Sequence, residues 1–169
     1  MSESYDVQQV CENGHPITDC YNISPEKRKK FCQECGAATI TACLSCGEEI
    51  QGARIKVSQS WIDARSGRQK MIPEMHADVP SYCFNCGKPY PWTESKIATA
   101  IQILMEFGKL DEKEKETIEQ DIKNVARDIP QAEFSAMRIK KIWEKCSRAG
   151  YEIIMEFASR TAAKVLKNP

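Results

Sequence analysis

A chain of 169 residues has room for one ordinary domain or two small ones, and its 41% hydrophobic and 28% charged residues are the balance of a soluble globular protein. Its 24 Lys and Arg match its 24 Asp and Glu, so no global field draws it to nucleic acid or to a membrane surface. No apolar run approaches the roughly 20 residues of a membrane span. Residues 1–10, MSESYDVQQV, show neither the basic nor the apolar region of a secretory signal. The expected setting is therefore the cytoplasm, where thiols stay reduced and paired cysteines point to metal rather than to disulfides.

The nine cysteines are unevenly placed, eight of them before residue 87. Four short ligand pairs follow in chain order: Cys11 with His15, Cys32 with Cys35, Cys43 with Cys46, and Cys83 with Cys86. Three of them have the form C-x-x-C-G. Zinc is four-coordinate in structural sites and takes thiolate sulfur and imidazole nitrogen, and a two-residue spacer lets both sulfurs of one tight turn reach one ion. The glycine after the second cysteine tolerates positive φ and lets backbone N–H groups turn towards the thiolates.

Pairing neighbours in order gives two sites. Cys11, His15, Cys32 and Cys35 form the first, with 16 residues between its pairs, and Cys43, Cys46, Cys83 and Cys86 form the second, with 36. The alternative is a cross-brace, joining the first pair to the third and the second to the fourth. The sequential arrangement is favoured because it closes shorter loops. Cys20 competes with His15 as fourth ligand of the first site. The Asn13-Gly14 turn aims His15 back at Cys11 and favours the histidine, leaving Cys20 a buried hydrophobe or a spare thiol. His76 has no ligand spacing to any pair and is read as a loop histidine.

GAATITA, residues 36–42, reads as a strand-like connector between two ribbons. The insertion at 48–82 contains RIKVSQSWI, which alternates as a strand does at Ile55 and Val57, then a turn around Gly67. It predicts an extended hairpin projecting from the second ribbon, with Trp61 a core residue. The ribbons themselves are expected to lack an apolar core.

The composition shifts at KPYPWTE, residues 88–94, where Pro89 and Pro91 favour an extended backbone and Thr93 suits a helix N-cap. The division expected is a tandem zinc-ribbon module over 1–91 and a bundle of three or four helices over 92–169. The first helix is predicted over about 94–107 with Ile97, Ile101, Leu104 and Met105 on one face. The second starts at Asp111 with Glu114 three residues on, a variant capping box, and buries Ile118, Ile122 and Val125. The third begins near Ala132 and shows Phe134, Met137, Ile142 and Cys146. It breaks at Gly150 or continues to Leu166 through Ile153, Ile154, Phe157 and Val165. Glu119–Lys123, Glu144–Arg148 and Glu156–Arg160 have the i,i+4 order of solvated helix faces. The fold class expected is α+β, a small double zinc ribbon followed by an α-helical bundle.

The motifs V-C-x-N-G-H, F-C-x-x-C-G-A-x-T-I-x-x-C and Y-C-x-N-C-G-K-P-Y-P-W-T, followed by charged amphipathic helices, resemble a bacterial family of tandem zinc-ribbon proteins of unknown function. The likeness covers nearly the whole chain. It implies zinc binding through Cys11, His15, Cys32, Cys35, Cys43, Cys46, Cys83 and Cys86, and implies no activity. More loosely, the first half is similar to double zinc ribbons that serve as interaction modules.

Catalytic zinc keeps a position open for water, whereas both expected sites close with four protein ligands. No G-x-S-x-G, P-loop, H-E-x-x-H or dinucleotide fingerprint occurs, so no enzymatic activity is expected. Nucleic-acid binding is the alternative. Lys27, Arg28, Lys29 and Lys30 form a basic run, and Arg54, Lys56, Arg65, Arg68 and Lys70 a basic hairpin with Trp61 available for stacking. Against it, residues 1–92 hold ten Lys and Arg against eleven Asp and Glu, and zinc–thiolate centres add further negative charge. The expectation is a non-catalytic adaptor with two structural zinc ions. It associates with itself or with a protein partner through its C-terminal helices, above all the stretch GYEIIMEFASRTAAKVL. There Ile153, Phe157 and Val165 form one stripe and Gly150, Ile154, Ala158 and Ala162 another, the alternative being that both stripes pack inside the protein's own bundle. Glu152, Glu156 and Arg160 argue against membrane insertion.

Overall fold

Hairpins come first in the chain and helices after them, so the protein is α+β. The computed structural model describes residues 4–62, 65, 67, 69–107, 110–127, 129–143, 154–155 and 158–167. Its contacts divide into two units, Met1–Trp92 and Thr93–Pro169.

The first unit contains strands β1 (Ser4–Val7), β2 (Gln9–Cys11), β3 (Pro16–Thr18), β4 (Thr39–Ile40), β5 (Gln51–Ile62) and β6 (Gln69–Met75). They form two antiparallel three-stranded sheets, in the orders β1-β5-β6 and β3-β2-β4. The hairpin expected in the insertion is β5–β6, with Lys56 opposite Ile72 and Ile62 opposite Gln69. It is not a free projection at its base. β1 pairs with the other edge of β5, Tyr5 lying opposite Arg54 and Val7 opposite Gln51. Residues 4–7 gave no strand signal because the segment is short and half polar. Asp6 is nonetheless buried, its carboxylate accepting hydrogen bonds from the backbone N–H groups of Val7, Asn22 and Ile23 at 2.7–3.0 Å. The Trp61 side chain, and Arg68 and the Lys70 side chain, lie outside the described residues.

Gly52 shows how closely β5 meets the segment it packs on. A Cβ there would fall 2.3 Å from the Asp19 carbonyl oxygen, 2.7 Å from the Val7 carbonyl carbon and 2.8 Å from the Asp6 oxygen. All three are backbone atoms and none can swing aside. Gly52→Ala is expected to lower stability by about 1–3 kcal/mol, as overpacking does. Denaturant unfolding of the full chain measures this, and an unchanged midpoint would contradict the close approach.

The first unit has an apolar core, contrary to the expectation from its ribbons. Val10, Ile50, Tyr90 and Trp92 pack with Cys43 and Cys83, and a second small cluster joins Cys20, Ala53 and Ile55. The junction K-P-Y-P-W supplies its two largest members. Tyr90 and Trp92 are stacked with ring centroids 4.7 Å apart, and the Trp92 indole donates to the Pro80 carbonyl at 2.8 Å. What reads as an extended boundary is thus partly core. Helix α1 (Pro91–Phe107) begins with Pro91 in the first turn, where proline's missing N–H costs nothing, so it starts earlier than the Thr93 cap signal suggested.

The second unit continues α1 and adds α2 (Glu112–Val125), α3 (Gln131–Trp143) and α4 (Arg160–Lys167). The capping box of α2 is formed: Asp111 accepts from the Glu114 backbone N–H at 2.8 Å and Glu114 accepts from that of Asp111 at 3.0 Å. Ile118, Ile122 and Val125 are fully buried as the periodicity predicts, and Glu119 pairs with Lys123. α1 turns Ala100 and Leu104 inward, and Met105 is exposed rather than on the packed face. α3 departs further. Its buried side is Ala132, Ser135, Ala136, Ile139 and Ile142, while Phe134 and Met137 face outward. The inward set keeps helical spacing, and small residues carry it where bulk suggested otherwise. Ile154 and Ala162 belong to this same core with Ala158 and Val165 packed against it, so the described residues of both stripes pack within the unit, as the alternative to an association surface has it. Cys146, Gly150, Glu152, Ile153 and Phe157 lie outside the described residues, as do Glu144–Arg148 and the side chains of Glu156–Arg160.

Candidate metal centres

Each ligand pair sits on one backbone device, repeated along the chain. The N–H of Cys32 donates to the Ala37 carbonyl at 2.8 Å and that of Gly36 to Cys32 at 2.9 Å. The same two bonds recur as Cys43 to Glu48 and Gly47 to Cys43, and as Cys83 to Lys88 and Gly87 to Cys83. Gly36, Gly47 and Gly87 have φ of 71°, 76° and 68°, a region costly for residues with a Cβ. Cys11 and His15 use a shorter version, in which Cys11 N–H donates to the His15 carbonyl at 3.0 Å across the turn containing Gly14. The second cysteine of each C-x-x-C pair is exposed and the first buried, so each knuckle lifts one sulfur to the surface.

The knuckles meet in sequential pairs. Cys11, His15, Cys32 and Cys35 form one group and Cys43, Cys46, Cys83 and Cys86 another, with donor atoms of each group within 4.8 Å of one another. Cys20 joins neither. It is buried against Ala53 and Ile55, and burial, aided by the neighbouring Asp19 carboxylate, pushes its thiol up to about 11. His76 also stands apart, its Nδ1 2.5 Å from Asp19 Oδ2.

The separations within the groups test what they can hold. Cys43 and Cys86 sulfurs are 3.7 Å apart, as are those of Cys46 and Cys83, and those of Cys11 and Cys35 are 3.8 Å apart. A tetrahedron of thiolates about 2.3 Å from a central zinc ion has edges of about 3.8 Å. His15 Nδ1 lies 3.5 Å from Cys11 Sγ and 3.6 Å from Cys32 Sγ. A mixed sulfur–nitrogen edge around zinc is about 3.6 Å. These separations are the edges a tetrahedral ion requires, so each donor set could hold one. His15 turns Nδ1 to the group and leaves Nε2 3.5 Å from Glu34, a carboxylate inside the facing knuckle. Such an outer partner fixes the ring's orientation. Neither the choice of ring nitrogen nor the role of Glu34 is visible in ligand spacing.

The thiols are not equivalent. Hydrogen bonding by the Ala37 backbone and the Asn13 side chain brings Cys35 down to about 6. For Cys83, the Cys86 backbone chiefly brings the thiol down to about 6. A backbone hydrogen bond from Lys88 lowers Cys86, but partial desolvation and the neighbouring sulfurs of Cys46, Cys43 and Cys83 together outweigh it and bring the thiol up to about 11. Burial, outweighing backbone hydrogen bonds, raises Cys11. Four sulfurs this close cannot all ionise against one another, and a divalent cation removes that conflict.

Of the basic residues named for nucleic acid, Arg28, Arg54 and Lys56 have their charged groups engaged. Arg28 donates to the Tyr21 carbonyl at 2.8 Å with its guanidinium 4.2 Å from the Tyr21 ring centre. The buried Gln9 amide clamps the Lys29 backbone. Lys56 and Arg54 face Glu74 at 3.3 and 3.9 Å.

Two four-donor groups in a zinc-ribbon-like arrangement, carried by small hairpins ahead of a helical unit, define the class. The chain belongs to the bacterial family described as "Uncharacterized protein conserved in bacteria (DUF2321)", which it matches over residues 4–166. No curated protein and no solved structure matches it. Among the described residues, no helix is long and apolar enough to cross a membrane.

Proposed function

We propose that this chain is a non-catalytic interaction protein in which each four-donor group holds one structural zinc ion. The observation that supports the reading is the gathering of four protein donors in each group, with the sulfur pairs at tetrahedral edge lengths, since an ion held by all four would have no position left for water or substrate. Ions held this way make hairpins into rigid platforms. The platform tips carry large apolar residues: Leu44 and Phe84, each 68% exposed, stand just after the first cysteine of the two knuckles of the second group. Phe31, immediately before Cys32, is similarly exposed. Such side chains on rigid supports suit protein contact, with the cytoplasm as the setting. The helical unit adds Phe134 and Met137 as outward apolar residues, in place of the C-terminal stripe that lies in its core.

The test combines composition with contact. Elemental analysis is expected to give two zinc ions per chain. Leu44→Ser is expected to retain both ions and the far-UV spectrum, and to lose whichever protein copurifies with the wild type from its native cell. One ion per chain, or unchanged copurification, would count against the reading. The nucleic-acid alternative predicts binding to DNA or RNA at low salt that weakens when Lys27, Arg28, Lys29 and Lys30 are reversed in charge. The pairing of Arg54 and Lys56 with Glu74 speaks for no such binding.

A further inference from the structure

The third residue of a knuckle reaches across to the knuckle it faces. Asn13 Nδ2 donates to Cys35 Sγ at 3.4 Å, and Asn85 Nδ2 donates to Cys46 Sγ at 3.8 Å. Glu34 Oε2 lies 3.5 Å from His15 Nε2. In each case the target is the second donor of the facing pair, so three of the four second donors carry an outer partner. The fourth is Cys86, and the residue in the equivalent place opposite it is Ser45. Serine is shorter than asparagine or glutamate, and Ser45 makes no side-chain hydrogen bond among the described residues.

Exposure does not separate these sulfurs, since Cys35, Cys46 and Cys86 all stand at the surface. The amides do. A hydrogen bond to a bound thiolate draws charge from the sulfur and covers part of it, so the sulfur gives up electrons less readily. Cys86 keeps its charge and its open side. The backbone bond it receives from Lys88 is no compensation, because Cys35 has the matching bond from Ala37 in addition to Asn13. Cys43 Sγ stands 3.7 Å from Cys86 Sγ, within reach of a second step.

We infer that Cys86 is the oxidation site of this protein and that the second group is a thiol switch opened by a peroxide. The inference rests on the reading that this group holds an ion. The Cys86 thiolate attacks one peroxide oxygen: the S–O bond forms, the O–O bond breaks and hydroxide leaves. The Cys43 thiolate then attacks the Cys86 sulfur: the S–S bond forms, the S–O bond breaks and a second hydroxide leaves. Two electrons pass from the two sulfurs to the peroxide. Cys46 and Cys83 remain, two donors where a structural ion takes four, and the ion is released. Cys43 and Cys83 also belong to the apolar cluster of Ile50, Tyr90 and Trp92, so release loosens that core.

The test treats the full chain, its zinc counted beforehand, with a small molar excess of hydrogen peroxide. A chromogenic chelator follows zinc release, and mass spectrometry of alkylated peptides identifies the oxidised cysteines. One ion is expected to leave ahead of the other, together with a Cys43–Cys86 disulfide and with Cys11, Cys32 and Cys35 still reduced. Ser45→Asn supplies the missing amide and is expected to slow that release about tenfold. Asn13→Ala strips Cys35 of its partner and is expected to speed loss of the other ion about tenfold. Both variants keep all eight donors. A wild-type count below two ions overturns the zinc reading and the switch with it. With two ions present, the switch alone is overturned if both leave together, if the first group leads, if the disulfide excludes Cys86, or if Ser45→Asn leaves the rate unchanged.

Discussion

Cys83→Ser is expected to release one of two zinc ions and to unfold the second ribbon, leaving Cys11, His15, Cys32 and Cys35 loaded. Structural zinc is worth about 10–16 kcal/mol in small finger peptides, against the roughly 5–15 kcal/mol that holds a whole domain together. Cys83 is also part of the apolar cluster with Ile50, Tyr90 and Trp92, so losing its ion loosens a core as well as a knuckle. The first group shares no ligand with the second and keeps its own hairpin, β2–β3. Native mass spectrometry counts the ions, and amide NMR shows which knuckles remain ordered. Loss of order at Cys32 and Cys35 instead would indicate a cross-braced pairing in solution.

The second large effect belongs to the helical unit. Asp121 of α2 is fully buried, and Arg138 of α3 meets both its carboxylate oxygens, with the Nε bond at 2.8 Å. The guanidinium also lies 4.8 Å from the ring centre of Phe134. Arg138→Met keeps an unbranched apolar stem and strips Asp121 of its partner. An unpaired buried charge costs about 3–5 kcal/mol, and a unit of this size has little stability beyond that. Urea unfolding of the full chain, followed by helical circular dichroism, is expected to show the loss. Replacing both partners, Asp121→Leu with Arg138→Met, is expected to recover most of it, because an apolar pair of similar volume needs no counter-charge. Equal loss in the single and double variants would show that the residues matter through packing alone.

These two sites differ in how far they can be read from the chain alone. Thiolate and imidazole donors at fixed short spacings report their own geometry, because a knuckle is a local object closed by its own backbone bonds. The neighbour-to-neighbour pairing follows from loop length. Asp121 could not be found that way: in EKETIEQDIKNV it is one of many charges, and only its place opposite α3 makes it buried. Phe134 and Met137 misled for the converse reason. Bulk was taken as the sign of a core face, whereas Ala132 and Ala136 let α3 approach closely and put the large side chains outside. β1 was hidden because a four-residue strand has no room for a period, and its partner lies some fifty residues on. The K-P-Y-P-W junction read as a spacer because two prolines dominate it locally, while the burial of Tyr90 and Trp92 depends on residues far away in the chain.

The order of the knuckles also has a consequence in time. The first group is complete once Cys35 has been made, whereas the second waits for Cys86, 51 positions later. At synthesis rates of about 5–20 residues per second that is a lag of roughly 3–10 s. During it Cys43 and Cys46 are two ligands of an unfinished site, and the first group is the only complete tetrad that an arriving ion can find. A cross-braced chain would close its first tetrad only at Cys46, with Cys32 and Cys35 already present to compete for the ion, and its second at Cys86, 40 positions later. Sequential pairing would thus let metal be taken up vectorially, one ion settled before the donors of the next group compete for it.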